Sequence, residues 1–221
     1  RLWSVLTSCP QVLPFQDRVK IFQSLVEADK SSREGGANSA FHGFGGGNNT
    51  RLQIRRDNLF ADAFSQVRSL DTADLKGRFQ VEFFAAAGLA EAGIDGGGLF
   101  KEFIDSFIKE AFDTNFNLFE PTSSNLLVPS PVASSYYPEQ HLEYFQFVGK
   151  ILGKALYDCV LVESQFSVVF LNVLLGRINQ FDDLRFLDEQ TYKSLRQLKA
   201  MATAAGGGSS SSGDEIADLD L

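Results

Sequence analysis

Two thiols are the first candidates for chemistry in this chain, Cys9 and Cys159. A cysteine nucleophile needs a thiolate, and a thiolate needs a histidine or another cation beside it. The helical phase of Cys159 groups it with Ile151, Leu152, Ala155 and Leu156, so the spacing predicts a packed, inert thiol. Cys9 stands before Pro10 in a proline-broken stretch, with no base near it in sequence. The two histidines, His42 and His141, have no metal-ligand spacing to each other or to the cysteines, so no metal site is expected. Glycine clusters raise phosphate binding next. The run Gly45-Gly46-Gly47-Asn48-Asn49-Thr50 lacks the Gly-Lys-Ser/Thr ending of a phosphate loop and precedes a strand pattern. The run Gly93-Ile94-Asp95-Gly96-Gly97-Gly98 does precede a helix, whose first N–H groups could hold an anion. Its spacing is not GxGxxG and Lys101 is the nearby cation, so the simpler reading is a tight turn needing positive φ and close backbone approach. The pairs Asp182-Asp183 and Asp188-Glu189 read as solvated helix caps. No catalytic constellation emerges, and no cofactor is implied.

Composition narrows the classes. The 221 residues are 44% hydrophobic and 22% charged, which rules out disorder of the whole and allows one large domain or two small ones. Twenty basic against 28 acidic residues give a net charge of −8, the wrong balance for neutralising phosphates, so no nucleic-acid partner is expected. The longest apolar run, residues 166–175, is half of the roughly 20 residues a membrane span needs, so no membrane partner is expected either. Two cysteines make no disulfide framework and point to a reducing compartment, cytoplasmic or nuclear. Arg1-Leu2-Trp3 does not open a signal peptide, and the missing initiator Met suggests an excised or partial chain. Nine of the 21 phenylalanines fall within residues 79–119, marking a core rather than stacking platforms for bases.

The elements that must position these residues follow from periodicity. Residues 15–28 carry Val19, Phe22, Leu25 and Val26 at helical spacing, and residues 31–50 form a Gly/Ser/Asn-rich linker. Leu52 and Ile54 alternate as a strand; Asp57 is a candidate N-cap for a helix lined by Phe60, Ala63, Phe64 and Val67. Phe79, Val81 and Phe83 make a second half-buried strand. The clearest helix spans 99–112, with Leu99, Phe100, Phe103, Ile104, Phe107, Ile108, Ala111 and Phe112 on a broad stripe. After a turn-rich section holding Pro121, Pro129, Pro131 and Pro138, residues 144–162 read as a second strong helix. Gly149 and Gly153 lie four apart on it, each costing about 1 kcal/mol against alanine, which implies another element packing close against them. Residues 166–175 read as a deeply buried third helix with Gly176 as its C-cap. A last amphipathic helix covers 191–201, followed by a flexible loop at 203–213 and an octet, 214–221, that holds four acids and alternates Leu219 and Leu221 like a strand.

Several of these blocks resemble, in order and spacing, the HECT-type E3 ubiquitin ligases. The segment Gly88-Leu-Ala-Glu-Ala-Gly-Ile-Asp-Gly-Gly-Gly-Leu-Phe-Lys-Glu-Phe103 is similar to that family's glycine turn and following helix. Ile54-Arg55-Arg56-Asp57-Asn58-Leu59-Phe60 looks like its early strand and helix start, and Leu127-Val128-Pro129-Ser130-Pro131 like its P-N-P turn with Ser130 in place of Asn. Phe145-Gln-Phe-Val-Gly149-Lys-Ile-Leu-Gly153-Lys-Ala-Leu156 resembles its most recognisable helix, and Leu187-Asp188 through Tyr192-Lys193-Ser194-Leu195 its lead into the E2-docking subdomain. Within the family, residues 14–22 and the A-G-I-D-G-G-G wording look most like the branch with an upstream IQ motif and a proteasome link.

The resemblance implies an α+β fold, predominantly α-helical: a HECT N-lobe with short antiparallel strands, truncated before the C-lobe. It divides the chain into an N-terminal extension at 1–13, a large N-lobe subdomain at 14–187, and the start of the E2-binding small subdomain at 188–221. It implies that the family takes ubiquitin from a ubiquitin-conjugating enzyme (E2) as a cysteine thioester and passes it to lysines of protein substrates. Neither Cys9 nor Cys159 matches the family's nucleophile, so no catalytic residue is assigned and these residues alone should be inactive. By motif match the E2-binding residues are Thr191, Ser194, Leu195, Leu198 and Met201 on one helix, with Leu219 and Leu221 from the strand after the loop. The implied partners are an E2, ubiquitin, protein substrates and the proteasome. The competing classes are a non-catalytic interaction module built on the same lobe and an anion-binding enzyme built on residues 93–98.

Overall fold

The computed structural model describes residues 8–34, 49–85, 91 and 98–205. It is mainly helical with two short two-stranded sheets, an α+β fold. The contacts separate two compact units, residues 1–109 with 142–162, and residues 110–141 with 163–221.

The first unit is built on apolar alternation. In β1 (Asn49–Arg55) Leu52 and Ile54 are buried, and in β2 (Arg78–Phe84) Phe79, Val81 and Phe83 are. The strands pair in parallel, Leu52 beside Val81 and Ile54 beside Phe83, where antiparallel strands were expected. The chain between them supplies the reason. A parallel pair needs a crossover, and α2 (Leu59–Val67) and α3 (Thr72–Lys76) make one. Helix α2 packs on β1 through a stripe of Leu59, Phe60, Ala63, Phe64 and Val67, and its N-cap position is Asn58 rather than Asp57.

Two long helices complete this core. From α4 (Gly98–Ala111) come Phe103, Ile104 and Phe107, and from α6 (His141–Tyr157) come Phe147, Val148, Ile151 and Ala155. Phe60 stacks on Phe107 with ring centres 5.5 Å apart, and Phe147 meets both rings edge-on at 5.2 Å. Such pairs contribute about 0.5–1.5 kcal/mol each beyond the area they bury. The first helix, α1 (Phe15–Glu34), is longer than its apolar spacing predicts and buries only Val26 among its described residues.

In the second unit, within the stretch read as turn-rich, β3 (Phe119–Pro121) and β4 (Leu127–Pro129) pair antiparallel, with Glu120 opposite Val128. The buried Ser130 hydroxyl donates to the Glu120 carboxylate at 2.9 Å. After the short helix α5 (Ala133–Tyr136), the unit resumes with α7 (Val168–Leu174), a 3-10 turn at Phe181–Phe186, and α8 (Glu189–Ala205). Phe112, Phe119, Phe166 and Phe170 form a chain of edge-to-face and tilted rings.

Three local expectations are corrected. Residues 166–175 are not deeply buried: Val173, Leu174 and Leu175 are all at least 60% exposed and α7 buries no residue fully. An all-round apolar helix is buried only if neighbours surround it. Here Phe170 engages the aromatic chain while the opposite side has no described cover. Gly149 and Gly153 are exposed, and among the described residues nothing lies within 4 Å of a Cβ built on either, so no close packing explains them.

Cys159 is likewise exposed rather than packed. Helix α6 stops at Tyr157, and Cys159 sits beyond it with φ +55°, the left-handed position that closes the helix. Its N–H bonds the Leu156 carbonyl at 3.1 Å, and the Val160 N–H bonds the Ala155 carbonyl at 2.8 Å. Those are the two bonds of a Schellman ending. Gly176 plays the same part for α7, as expected, with φ +67° and the Arg177 N–H on the Asn172 carbonyl at 2.8 Å.

Candidate functional site: a helix face

Helix α8 begins on Asp188. Its Oδ1 accepts the backbone N–H groups of Gln190 and Thr191 at 2.9 and 3.1 Å, and its Oδ2 accepts the Thr191 hydroxyl at 2.6 Å. The Thr191 hydroxyl and then these backbone bonds hold the Asp188 carboxyl below its ordinary range. A carboxylate at this end also suits the helix dipole. One side of the helix is fixed by aromatics. Tyr192 lies 5.4 Å from the Phe181 ring and donates its hydroxyl to Asp182 at 3.0 Å, while the Lys199 ammonium sits 5.2 Å from the Phe181 ring.

That anchoring decides where the expected E2-binding residues stand. At about 100° per residue, Thr191, Ser194, Leu195, Leu198 and Met201 share one face, next to the row of Tyr192 and Lys199. Leu195, nearest that row, is half-buried, as are Ser194 and Leu198; Met201, farthest from it, is 44% exposed. The five residues form one stripe, apolar at Leu195, Leu198 and Met201. Thr191 stands at its start with its hydroxyl committed to the Asp188 cap. Leu219 and Leu221 lie outside the described residues, as do His42 and residues 92–97 of the glycine turn.

Elsewhere the described residues offer little covalent chemistry. His141 Nδ1 is 3.1 Å from the Tyr137 carbonyl, and no group of three His, Cys, Asp or Glu is placed to hold a metal among the described residues. No described helix is long and apolar enough to cross a membrane.

Sequence reasoning missed two charged clusters, both in the first unit. Arg56 makes a two-pronged bond to Glu91 at 2.6 and 2.7 Å, pairs with Glu102 at 2.8 Å and covers the Phe83 ring at 4.3 Å. Glu91 and then Glu102 hold its guanidinium protonated still more firmly than usual. Lys154 is nearly sealed, its Nζ on the Gly77 carbonyl at 2.6 Å and the Asp158 carboxylate at 2.7 Å, with the Phe79 ring centre at 4.9 Å. Burial pushes its ammonium pKa down. The available signal was a lone lysine inside the Phe147-Ile151-Ala155 stripe.

Comparison with known proteins adds identity to this geometry. The family described as HECT-domain (ubiquitin-transferase) matches residues 105–221, just over half of the chain and all of α8. This chain belongs to the HECT family. It is 37% identical over 195 residues to the E3 ubiquitin-protein ligase UPL6 of Arabidopsis thaliana, covering 88% of this chain and 18% of that protein. The human ubiquitin-protein ligase E3B is also 37% identical, over 203 residues, with the same two shares. The E3 ubiquitin-protein ligase HUL5 of Saccharomyces cerevisiae is 33% identical over 232 residues, covering 100% of this chain and 24% of that protein. The chain thus spans about a fifth of the length of these relatives. HECT membership gives the α8 stripe a context, because it lies wholly inside the matched residues while α1, β1, α2 and β2 precede them.

Proposed function

We propose that these residues are the E2-docking scaffold of a HECT E3 ubiquitin ligase. The carrying observation is the α8 face: Leu195 and Leu198 half-buried and Met201 open, on a helix pinned by the Asp188 cap and by the Phe181–Tyr192 contact. A shallow apolar groove on a rigid helix suits an aliphatic or aromatic anchor from a partner loop. In this reading residues 188–221 begin the small subdomain, Leu219 and Leu221 extend the groove, and the whole ligase takes ubiquitin from an E2 as a cysteine thioester before passing it to substrate lysines. E2, ubiquitin, protein substrates and the proteasome are its partners, and the cytoplasm or nucleus is its place of work.

The chemistry divides accordingly. In thioester transfer an attacking cysteine sulfur displaces the E2 cysteine from the ubiquitin carboxyl carbon, and the E2 leaves with its thiol restored. The scaffold's contribution is orientation, which lowers the entropic part of the barrier. In this reading neither Cys9 nor Cys159 takes the attacking role, because neither matches the position of the family's nucleophile; the backbone of Cys159 closes α6. Leu195→Asp or Leu198→Asp in the full-length ligase should abolish ubiquitin transfer from charged E2 while leaving the fold intact. Unchanged transfer rates would refute the groove. These 221 residues alone, mixed with charged E2, should form no reducible ubiquitin adduct, and an adduct mapped to Cys159 would overturn their scaffold role.

A further inference from the structure

Helix α1 is attached to the first unit in an unusual way. Of its 20 residues only Val26 is buried among those described, and Phe15, Phe22 and Leu25 are exposed. Charges hold its C-terminal half instead. The Asp29 carboxylate accepts the Lys76 ammonium through both oxygens, at 3.0 and 2.9 Å, and the Tyr157 hydroxyl at 2.9 Å. Arg33 donates to the Ala73 carbonyl at 2.8 Å, in the first turn of α3. Lys30 pairs with Asp158 at 3.5 Å and lies 5.0 Å from the Tyr157 ring, and Asp158 in turn binds the buried Lys154. The groups around Asp29 are therefore Lys76 from α3, Tyr157 from α6 and Arg33 from α1 itself.

We propose that α1 is a detachable element, held by an ionic latch of Asp29 on Lys76 and Tyr157 with Lys30 on Asp158, that opens as one helix while the aromatic core stays folded. The physical basis is the contrast in what each part would lose. Opening α1 uncovers one buried apolar side chain among its described residues, Val26, whereas opening α4 or α6 breaks the Phe60–Phe107–Phe147 cluster. Elements with few buried apolar contacts open locally, at lower cost than global unfolding. Half-exposed ion pairs are also screened by salt, since the Debye length falls from about 10 Å at 0.1 M to about 3 Å at 1 M. The latch is thus sensitive to ionic strength and to any ligand that competes for Asp29 or Lys76. Its release frees the Lys76 ammonium and the Tyr157 hydroxyl.

Hydrogen exchange read peptide by peptide on the 221-residue chain tests this, with α4 and α6 in the same molecule as reference. Going from 50 mM to 1 M NaCl should speed exchange in α1 at least fivefold relative to α4 and α6. Asp29→Asn should do the same at low salt, and should remove most of the salt effect. Lys76→Met alone should resemble Asp29→Asn, and the double variant should be no faster than the quicker single, because both remove one interaction. Two results would overturn the latch. One is α1 exchange unmoved by salt and by Asp29→Asn, with Val26→Ala alone releasing it. The other is α1, α4 and α6 losing protection together.

Discussion

Helices α6 and α8 are both 17 residues long and both carry an apolar stripe at helical spacing, yet they end in opposite situations. On α6, Phe147, Val148, Ile151 and Ala155 are no more than 1% exposed, and Phe147 meets the Phe60, Phe64 and Phe107 rings. On α8 no described side chain is fully buried, and the stripe grades from half-buried Leu195 to open Met201. Periodicity identifies a face in both cases. What covers that face depends on other elements, and here lies the difference between a core and the docking surface proposed for α8.

The sharpest way to break this contrast is to truncate the covered stripe. Phe147 contacts Phe60, Phe64 and Phe107, so Phe147→Ala should cost about 4 kcal/mol through lost burial and the cavity left behind. Chemical denaturation followed by circular dichroism would show it as a lower midpoint. Lys154 comes next. Its removal strands the Gly77 carbonyl and leaves the Asp158 carboxylate with Lys30 at 3.5 Å, and Lys154→Ala should destabilise by about 2 kcal/mol. A stable Lys154→Ala variant would mean that the charge is dispensable and that the aromatic cluster alone holds α6.

The end of α6 offers an effect of opposite sign. Cys159 occupies a left-handed position that costs a side chain roughly 1 kcal/mol and costs glycine little. Cys159→Gly should therefore raise the unfolding midpoint, by about 1 kcal/mol of stability, and would leave the Schellman bonds in place.

Much of this molecule was legible from spacing, because helix stripes and strand alternation are local properties. The aromatic run of α4 and the alternation of Leu52, Ile54, Phe79, Val81 and Phe83 translate directly into buried positions. Strand pairing was not legible, since alternation is the same for parallel and antiparallel neighbours and only the route of α2 and α3 decides. Cys159 was misplaced because its fate turns on where α6 stops, a difference of a few residues. The α8 stripe could be located because its five residues lie on one helix; its relation to Leu219 and Leu221 depends on chain folding that periodicity does not encode. Lys154 escaped notice because a lone lysine in an apolar stripe signals a buried charge without saying which carbonyl and carboxylate receive it.

A weaker effect comes from acid. The Asp62 carboxyl is drawn down to about 2, first by its two-oxygen bond with Arg55 at 2.8 and 3.0 Å and then by the Arg55 N–H and the Asn58 amide. Its folded value lies below its unfolded one, so it adds stability above about pH 4, and that contribution is lost as pH falls toward 2. Asp62→Asn should flatten that part of a stability-versus-pH curve measured by thermal melting.

The smallest expected change in stability is the most informative about function. Met201→Asp puts a charge on the open end of the α8 stripe, where water already solvates the site, so stability should move by no more than about 0.5 kcal/mol. The same chemical change at Ile151 of α6, which is fully buried, would leave an unpaired carboxylate in the core and unfold the first unit. Substitutions at the two positions thus separate what the equal periodicities conflate. If Met201→Asp slows ubiquitin transfer from charged E2 in the full-length ligase while its melting temperature holds, the stripe is a binding surface. If it instead lowers the melting temperature as a core substitution does, then α8 is a covered helix like α6, and the E2 must dock elsewhere.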